Sequence, residues 1–395
     1  MAPQTTEFSR QVPAILGGKP AFEPALPFTQ PTVPAWTEVE PELERMYRSG
    51  WLTKGPYLRH FEEKVAQYLG VKHAIGLSSC TSGLILGLQS LGLERGKGEI
   101  IVPSFSFMAT FHAIWWNGFR PVFVDCEPDT FSIDLEGVRQ ALSPQTVAIA
   151  AVSVFGNPPD LQGLEELARE RHLPLFLDSA HGFGTLYQGH RLGRYGSFES
   201  FSLSPTKLLT GGEGGLVATN DDAVAEHVRA GRDYGNHGSY DCPSVGLNAR
   251  MSEANAIIAA HALDYLEEYA QHRNQVAQAY RQGLNGVPGL SFQKIREGCR
   301  SSYKDLALVV DPEFGISRDK LSQALNAEGI PNRAYFDPPG HKLSCYAPSS
   351  VQLPVTERLS ASIICLPVSS HMELSSVERV CQTIIRLYEN RERLR

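Results

Sequence analysis

A chain of 395 residues, 42% hydrophobic and 20% charged, has the composition of a globular protein long enough for two domains. Its net charge of −7 argues against a nucleic-acid binder, which would carry a basic face. Seven cysteines without a CxxC, twelve histidines without an HExxH and no apolar run near the roughly 20 residues that span a bilayer argue against a disulfide framework, a metal site and a membrane segment. The N-terminus lacks the apolar core of a signal peptide, so a reducing cytoplasm is expected.

Residues 1–35 are proline-rich with little periodicity and read as an arm lying over another surface. Helices are expected over 36–48 and 57–69, the second with Phe61, Val65 and Leu69 on one face. From His73 a βα rhythm begins. Strands are expected at 73–77, 99–102, 120–124 and 147–152, and helices at 81–93, 107–117, 135–142 and 160–171. The helix over 107–117 (FMATFHAIWWN) is apolar nearly all round and is expected to be buried. Leu173 to Leu177 is a continuous apolar run, as in a parallel strand covered on both faces, and it ends at Asp178. Strands alternating with helices predict a largely parallel sheet.

The stretch from Phe198 to Thr219 (FESFSLSPTKLLTGGEGGLVAT) reads as strand, loop with Lys207, glycine hairpin and strand. A lysine held between strands loses hydration, which lowers its pKa and makes its amine nucleophilic. Asp178, at the carboxyl end of its strand, lies where open α/β sheets bind ligands. An acid for a pyridinium nitrogen and a lysine for a Schiff base are the pair that pyridoxal 5'-phosphate (PLP) requires. Beyond a helix at 221–232 and a glycine-rich loop, a long helical stretch over 252–284 changes the character of the chain. A strand at 303–310 and helices at 318–328 and 373–387 then suggest a second, α+β domain.

Each candidate residue also has a plainer reading. Ser78-Ser79-Cys80-Thr81-Ser82-Gly83, between strand and helix, is either an anion site or an ordinary N-cap. Phe105 or Phe107 supplies a face for a flat ring, or both are core, which spacing alone favours. Ser202 faces the same anion or points outward. His181 bonds a cofactor or packs. Glu213 is a ligand or a solvated turn acid, and Asn248 a ligand or a helix cap. Cys80 reads as a small packed residue rather than a nucleophile. Neither GxGxxG nor GxxxxGK[ST] occurs, so nucleotide-loop readings lack support.

DSAHGFG, FSLSPTKLLTGGEGG and GLNARMSE, preceded by SSCTSGLILGL and VPSFSFMAT, resemble the DegT/StrS family of PLP-dependent sugar aminotransferases. The resemblance runs in order from about Trp51 to Ala260 and weakens toward the C-terminus. It implies that Lys207 is the Schiff-base lysine and that Asp178 partners the ring nitrogen. It implies phosphate contacts from Thr81, Ser82 and Ser202, and a ring-stacking Phe107 in place of the core reading. Asn248 matches an asparagine that reaches the phosphate from the neighbouring subunit. His181 falls where the family usually has a glutamine bonding the cofactor's phenolic oxygen; a histidine can also gain a proton near its ordinary pKa of about 6.5. Cys80 departs from the usual glycine, and SLSPTK is not the commonest wording before the lysine. Some relatives carry histidine for that lysine and are dehydratases; Lys207 disfavours that activity.

The resemblance implies an α/β PLP-dependent transferase of fold type I, with a mostly parallel central sheet flanked by helices and a smaller α+β C-terminal domain. The expected division is an arm over 1–35, a large PLP-binding domain over 36–251 and a small domain over 252–395. The expected activity moves an amino group from an amino acid, L-glutamate by resemblance, to a keto-sugar nucleotide. The stretch NRAYFDPPGHKLSCY resembles members acting on 4-keto-6-deoxy sugars. A keto-cyclitol acceptor and a non-catalytic regulatory protein on the same fold are the alternatives. A cytoplasmic homodimer with sites at the subunit interface is expected, with no nucleic-acid or membrane partner.

Overall fold

Apolar and β-branched runs, broken at glycine, proline and serine, build two separate sheets. The computed structural model describes residues 11–238, 240–346 and 350–395; residues 1–10 of the expected arm lie outside them. The strands of the larger part are β1 (His73–Leu77), β2 (Glu99–Pro103), β3 (Arg120–Val124), β4 (Thr146–Val152), β5 (Leu175–Asp178), β6 (Leu186–Tyr187), β7 (His190–Arg191), β8 (Phe198–Ser202) and β9 (Gly215–Thr219). Seven of them form one sheet in the order β1-β9-β8-β5-β4-β2-β3, while β6 and β7 make a small hairpin. Neighbours from β8 through β3 pair in parallel. Only β9 runs against its neighbours, as the glycine hairpin predicted. The carboxyl ends of β1, β2, β4, β5 and β8 therefore share one edge of the sheet with the start of β9.

Helices cover both faces, which is why β2, β5, β8 and β9 are buried at every residue. Phe61, Val65 and Leu69 of the helix Pro56–Leu69 pack on one side, as their spacing predicted. Gly215 is required by close approach: a Cβ there would lie 2.2 Å from the backbone nitrogen of Cys80. The start of β9 is thus pressed against the N-terminus of the helix Cys80–Ser90.

Two expectations about helices need correction. The stretch expected as helix over 252–284 is two helices, Glu253–Ala262 and Leu266–Gly283, joined by a 3-10 turn at Leu263–Tyr265. The helix Met108–Trp116 is not buried all round. Phe111 and Ile114 enter the core, but Met108, Trp115 and Trp116 are exposed. Apolar composition alone does not tell which face finds a partner within the chain.

The second sheet is antiparallel, in the order β10 (Leu290–Phe292), β11 (Leu306–Val310) and β12 (Ile363–Leu366). The helices Arg318–Ala327 and Leu374–Glu389 pack on it through Leu321, Val377 and Ile384. β10, β12 and the helix Pro354–Ser362 are not apparent in the sequence reading. Ala256, Ala259 and Ala260 of the helix Glu253–Ala262 pack into the cluster of the larger sheet rather than that of the smaller one. The N-terminal segment is fastened to the small-sheet side by Glu328, whose carboxylate accepts from the backbone N–H of Ala14 at 2.8 Å and Ala21 at 2.9 Å. The same carboxylate pairs with fully buried Arg386. No helix among the described residues is long and apolar enough to cross a membrane.

Candidate active site

The shared edge of strand ends opens into a cavity of about 340 Å³, within the range of small-molecule sites. Its lining includes Thr81, Phe107, Asp178, His181, Ser202 and Lys207, so the structure brings together six of the eight sequence-derived candidates. Ser82 stays out of the lining: its hydroxyl bonds the backbone carbonyl of Ser79 at 2.7 Å and its N–H donates to the Ser79 hydroxyl. This is the plain capping role. Asn248 is also outside the lining. It is exposed, and its backbone bridges to Asp233.

One end of the cavity suits an anion. The helix Cys80–Ser90 begins there, presenting its first N–H groups and the Thr81 side chain. Ser202 closes on it from the end of β8. Phe107 caps the helix Met108–Trp116 and is 51% exposed at the cavity, whereas Phe105 is fully buried among Phe131, Phe155 and Phe336. The two neighbouring phenylalanines thus divide the two readings between them.

Asp178, 4% exposed, ends β5. Burial pushes its pKa up, while a hydrogen bond from Thr110 Oγ1 to Oδ2 at 2.6 Å and one from the Ala180 N–H to Oδ1 at 3.0 Å hold it down. Across the cavity, burial pushes the Lys207 amine down to about 8, and the Lys304 ammonium adds to that. Asp305, Cys80 and Asp178 oppose the shift. A lysine near 8 has a substantial neutral, nucleophilic fraction at physiological pH. Cys80 is packed between Asp178 and Ser200, and burial raises its thiol well above the usual range, which disfavours a nucleophilic role.

His181 departs from the sequence expectation of a group titrating near its ordinary value. Burial, then the charges of Lys207 and Lys304, hold its pKa well below 6.5. Its Nδ1 accepts the backbone N–H of Phe155 at 3.2 Å. The ring is therefore neutral, with its proton on Nε2.

Sequence reasoning missed Thr110 and the far wall. Thr110 stands in the quoted VPSFSFMAT motif, but nothing in its spacing pointed at Asp178. Lys304 and Asp305 come from the loop just before β11, and Tyr335 and Phe336 from the turn after the helix Arg318–Ala327. No local signal marks them. Ser153, after β4, also lines the cavity, and its buried hydroxyl finds no hydrogen-bond partner among the described residues. Among the described residues, no group of three or more His, Cys, Asp or Glu side chains is arranged to hold a metal ion.

This donor set fits the PLP implied by the sequence resemblance. A carboxylate and an amine lie on one cavity, with an anion-binding helix end, an exposed aromatic face and an unpartnered wall hydroxyl.

Comparisons with known proteins point the same way. The profile of the DegT/DnrJ/EryC1/StrS aminotransferase family matches residues 36–385. The dTDP-4-amino-4,6-dideoxy-D-glucose transaminase of Escherichia coli is 30% identical over 366 residues, covering 91% of this chain and 98% of that protein. The structure of DesI in the presence of its TDP-sugar product is 34% identical, with a TM-score of 0.90, over 96% of this chain and 97% of that one. NtdA from Bacillus subtilis with bound cofactor PMP is 25% identical, with a TM-score of 0.81, over 89% of this chain and 82% of that one.

Proposed function

The chain belongs to the DegT/DnrJ/EryC1/StrS aminotransferase family, and we propose from that premise that it moves an amino group from L-glutamate to a 4-keto-6-deoxy sugar linked to a nucleoside diphosphate. It is a PLP-dependent aminotransferase with the fold of that class. The observation that carries the residue assignment is the pairing of half-buried Lys207, its amine shifted to about 8, with buried Asp178 on one cavity.

Bound PLP supplies an electron sink for the carbanion formed at the donor's α-carbon. Asp178, held by hydrogen bonds from Thr110 and the Ala180 N–H, would partner the cofactor's ring nitrogen. Thr81, Ser202 and the helix N-terminus would hold its phosphate, and Phe107 would offer an aromatic face to its ring. The Nε2–H of His181 would donate a hydrogen bond to the cofactor's phenolic oxygen. Lys207 would hold the cofactor through its amine and would move the proton at the donor's α-carbon as general acid and base.

The reading includes a homodimer in which Asn248 of one copy reaches the anion end of the other. The exposed Phe107, Met108, Trp115 and Trp116 support such an interface beside the cavity. It also includes the division into an arm over 1–35, a large domain over 36–251 and a small domain over 252–395. The two separate sheets support a large and a small domain, but the helix Glu253–Ala262 packs with the larger sheet, which moves the boundary C-terminal of 252.

The test incubates the PLP-loaded enzyme with L-glutamate and either dTDP-4-keto-6-deoxy-D-glucose or a keto-cyclitol. Product is followed by mass spectrometry and 2-oxoglutarate release. Amination of the sugar nucleotide is expected. Amination of the cyclitol alone would replace the acceptor, and turnover of neither would favour a regulatory protein. Lys207→Ala should lose covalent cofactor attachment and all transamination; a variant turning over at the wild-type rate would refute the lysine assignment.

A further inference from the structure

Lys304 and Asp305 form a buried charged pair for which the catalytic roles above have no task. They precede β11 in the second sheet, yet both line the cavity of Lys207. They are 9% and 3% exposed. Lys304 Nζ donates to the two carboxylate oxygens of Asp305 at 2.8 and 2.9 Å. The backbone N–H of Lys304 donates to the carbonyl of Phe155 at 3.1 Å, which ties it to the turn after β4. Charges taken out of water must be paired or meet a ligand. A pair facing a cavity can exchange one partner for a ligand of the same charge, which a pair inside a core cannot.

The chemistry of the cavity narrows that ligand. Among the described residues its lining holds two ammonium groups, Lys207 and Lys304, and no guanidinium. Lys207 is occupied by the cofactor and then by the moving proton, and His181 is neutral. The helix N-terminus with Thr81 and Ser202 serves the phosphate of the cofactor. An amino-acid donor still brings a carboxylate, one bond from the carbon whose proton Lys207 moves. Lys304 lines the cavity with Lys207 and His181; after burial its charge is the largest influence on Lys207, and on His181 it comes second to Lys207. The phosphates of a 4-keto sugar nucleotide lie across the sugar ring from the reacting carbon and do not meet this requirement.

We propose that Lys304 is a specificity-determining residue: its ammonium binds the α-carboxylate of the amino-acid donor, and Asp305 holds it in place when no donor is bound. The proposal rests on the reading of this cavity as the transamination site.

The test compares PLP-loaded wild type, the neutral pair Lys304→Gln with Asp305→Asn, and Lys304→Arg. Calorimetry measures 2-oxoglutarate binding, and kinetics give the KM for each substrate. Thermal unfolding checks that each variant is folded. In the neutral pair, 2-oxoglutarate binding should weaken tenfold or more and the KM for L-glutamate should rise in step. The KM for the keto sugar should move less than threefold. Lys304→Arg should stay within threefold of wild type for both donor readings. Wild-type 2-oxoglutarate binding in a folded neutral pair would overturn the proposal, as would a rise confined to the keto-sugar KM. So would a parallel rise in both KM values in Lys304→Arg. A wild-type enzyme that binds 2-oxoglutarate through Lys304 but aminates no keto-sugar nucleotide would leave the proposal standing and remove only the acceptor assignment.

Discussion

His181 carries a single proton whose position follows from the backbone. The Phe155 N–H donates to Nδ1, so only Nε2 is left to donate into the cavity. An amide in its place supplies the same donor, and an alanine supplies none. His181→Gln should therefore keep activity within about threefold, while His181→Ala should lose about tenfold, since one hydrogen bond contributes roughly 0.5–1.5 kcal/mol and 1.4 kcal/mol is a decade. Because the pKa of His181 lies well below its ordinary value, wild type and His181→Gln should share one pH–rate profile between pH 6 and 8. A step near 6.5 that disappears in the glutamine variant would show that the ring does titrate there. At this scale the sequence was informative wherever chemistry is local. Asp178 and Lys207 are legible because a strand end or hairpin next to them dictates where they point, whereas spacing left Ser202 between the anion and an outward face and only the family motif favoured the anion. Phe107 is the instructive case. Spacing favoured core for both phenylalanines, and only Phe105 is core. A single residue, Ser106, separates them, but Phe105 precedes the helix and Phe107 caps it.

Strand β8 shows how an element can carry acid on its hidden side. Glu199 is fully buried there and accepts from the Ser179 hydroxyl at 2.6 Å and from the N–H groups of Gly193 and Tyr195 at 2.5 and 3.0 Å. Burial nevertheless pushes its pKa from 4.5 up to about 7. Between those two values the folded chain keeps a proton that the unfolded chain has released. Its stabilising contribution is full below about 4.5 and is lost as pH rises through about 7, a fall of up to about 3 kcal/mol. Unfolding midpoints measured across that window should fall with pH in wild type and stay flatter in Glu199→Gln; parallel curves would remove the assignment. The parallel βαβ rhythm and the reversed β9 were legible because continuous apolar runs and a glycine hairpin leave few alternatives. The break at Leu263–Tyr265 was not, because no proline or glycine marks it. The three-residue β10 and the four-residue β12 were too short to stand out from loops.

The cavity as a whole draws on residues from Ser79 to Phe336. Its far wall comes from loops beside the second sheet, whose docking no local pattern encodes, which is why Lys304, Asp305, Tyr335 and Phe336 stayed hidden in the sequence. Asn248 marks the opposite limit: its motif was legible, yet its own chain leaves it exposed and outside the lining. If it serves a neighbouring copy, mixing Lys207→Ala chains with Asn248→Ala chains should create dimers with one intact site. Such mixtures should recover part of the wild-type activity that neither variant has alone. Mixed dimers that form and stay inactive would rule out action in trans. The clasp on Glu328 has a consequence for the ends of the molecule. A fusion partner placed ahead of Ala14 leaves both N–H donors in position. A chain begun at Phe22 strips them from a carboxylate buried beside Arg386. Trimming by exopeptidases should therefore stall before Ala14, and a shortened chain should lose heat resistance although every group lining the catalytic cavity is still present.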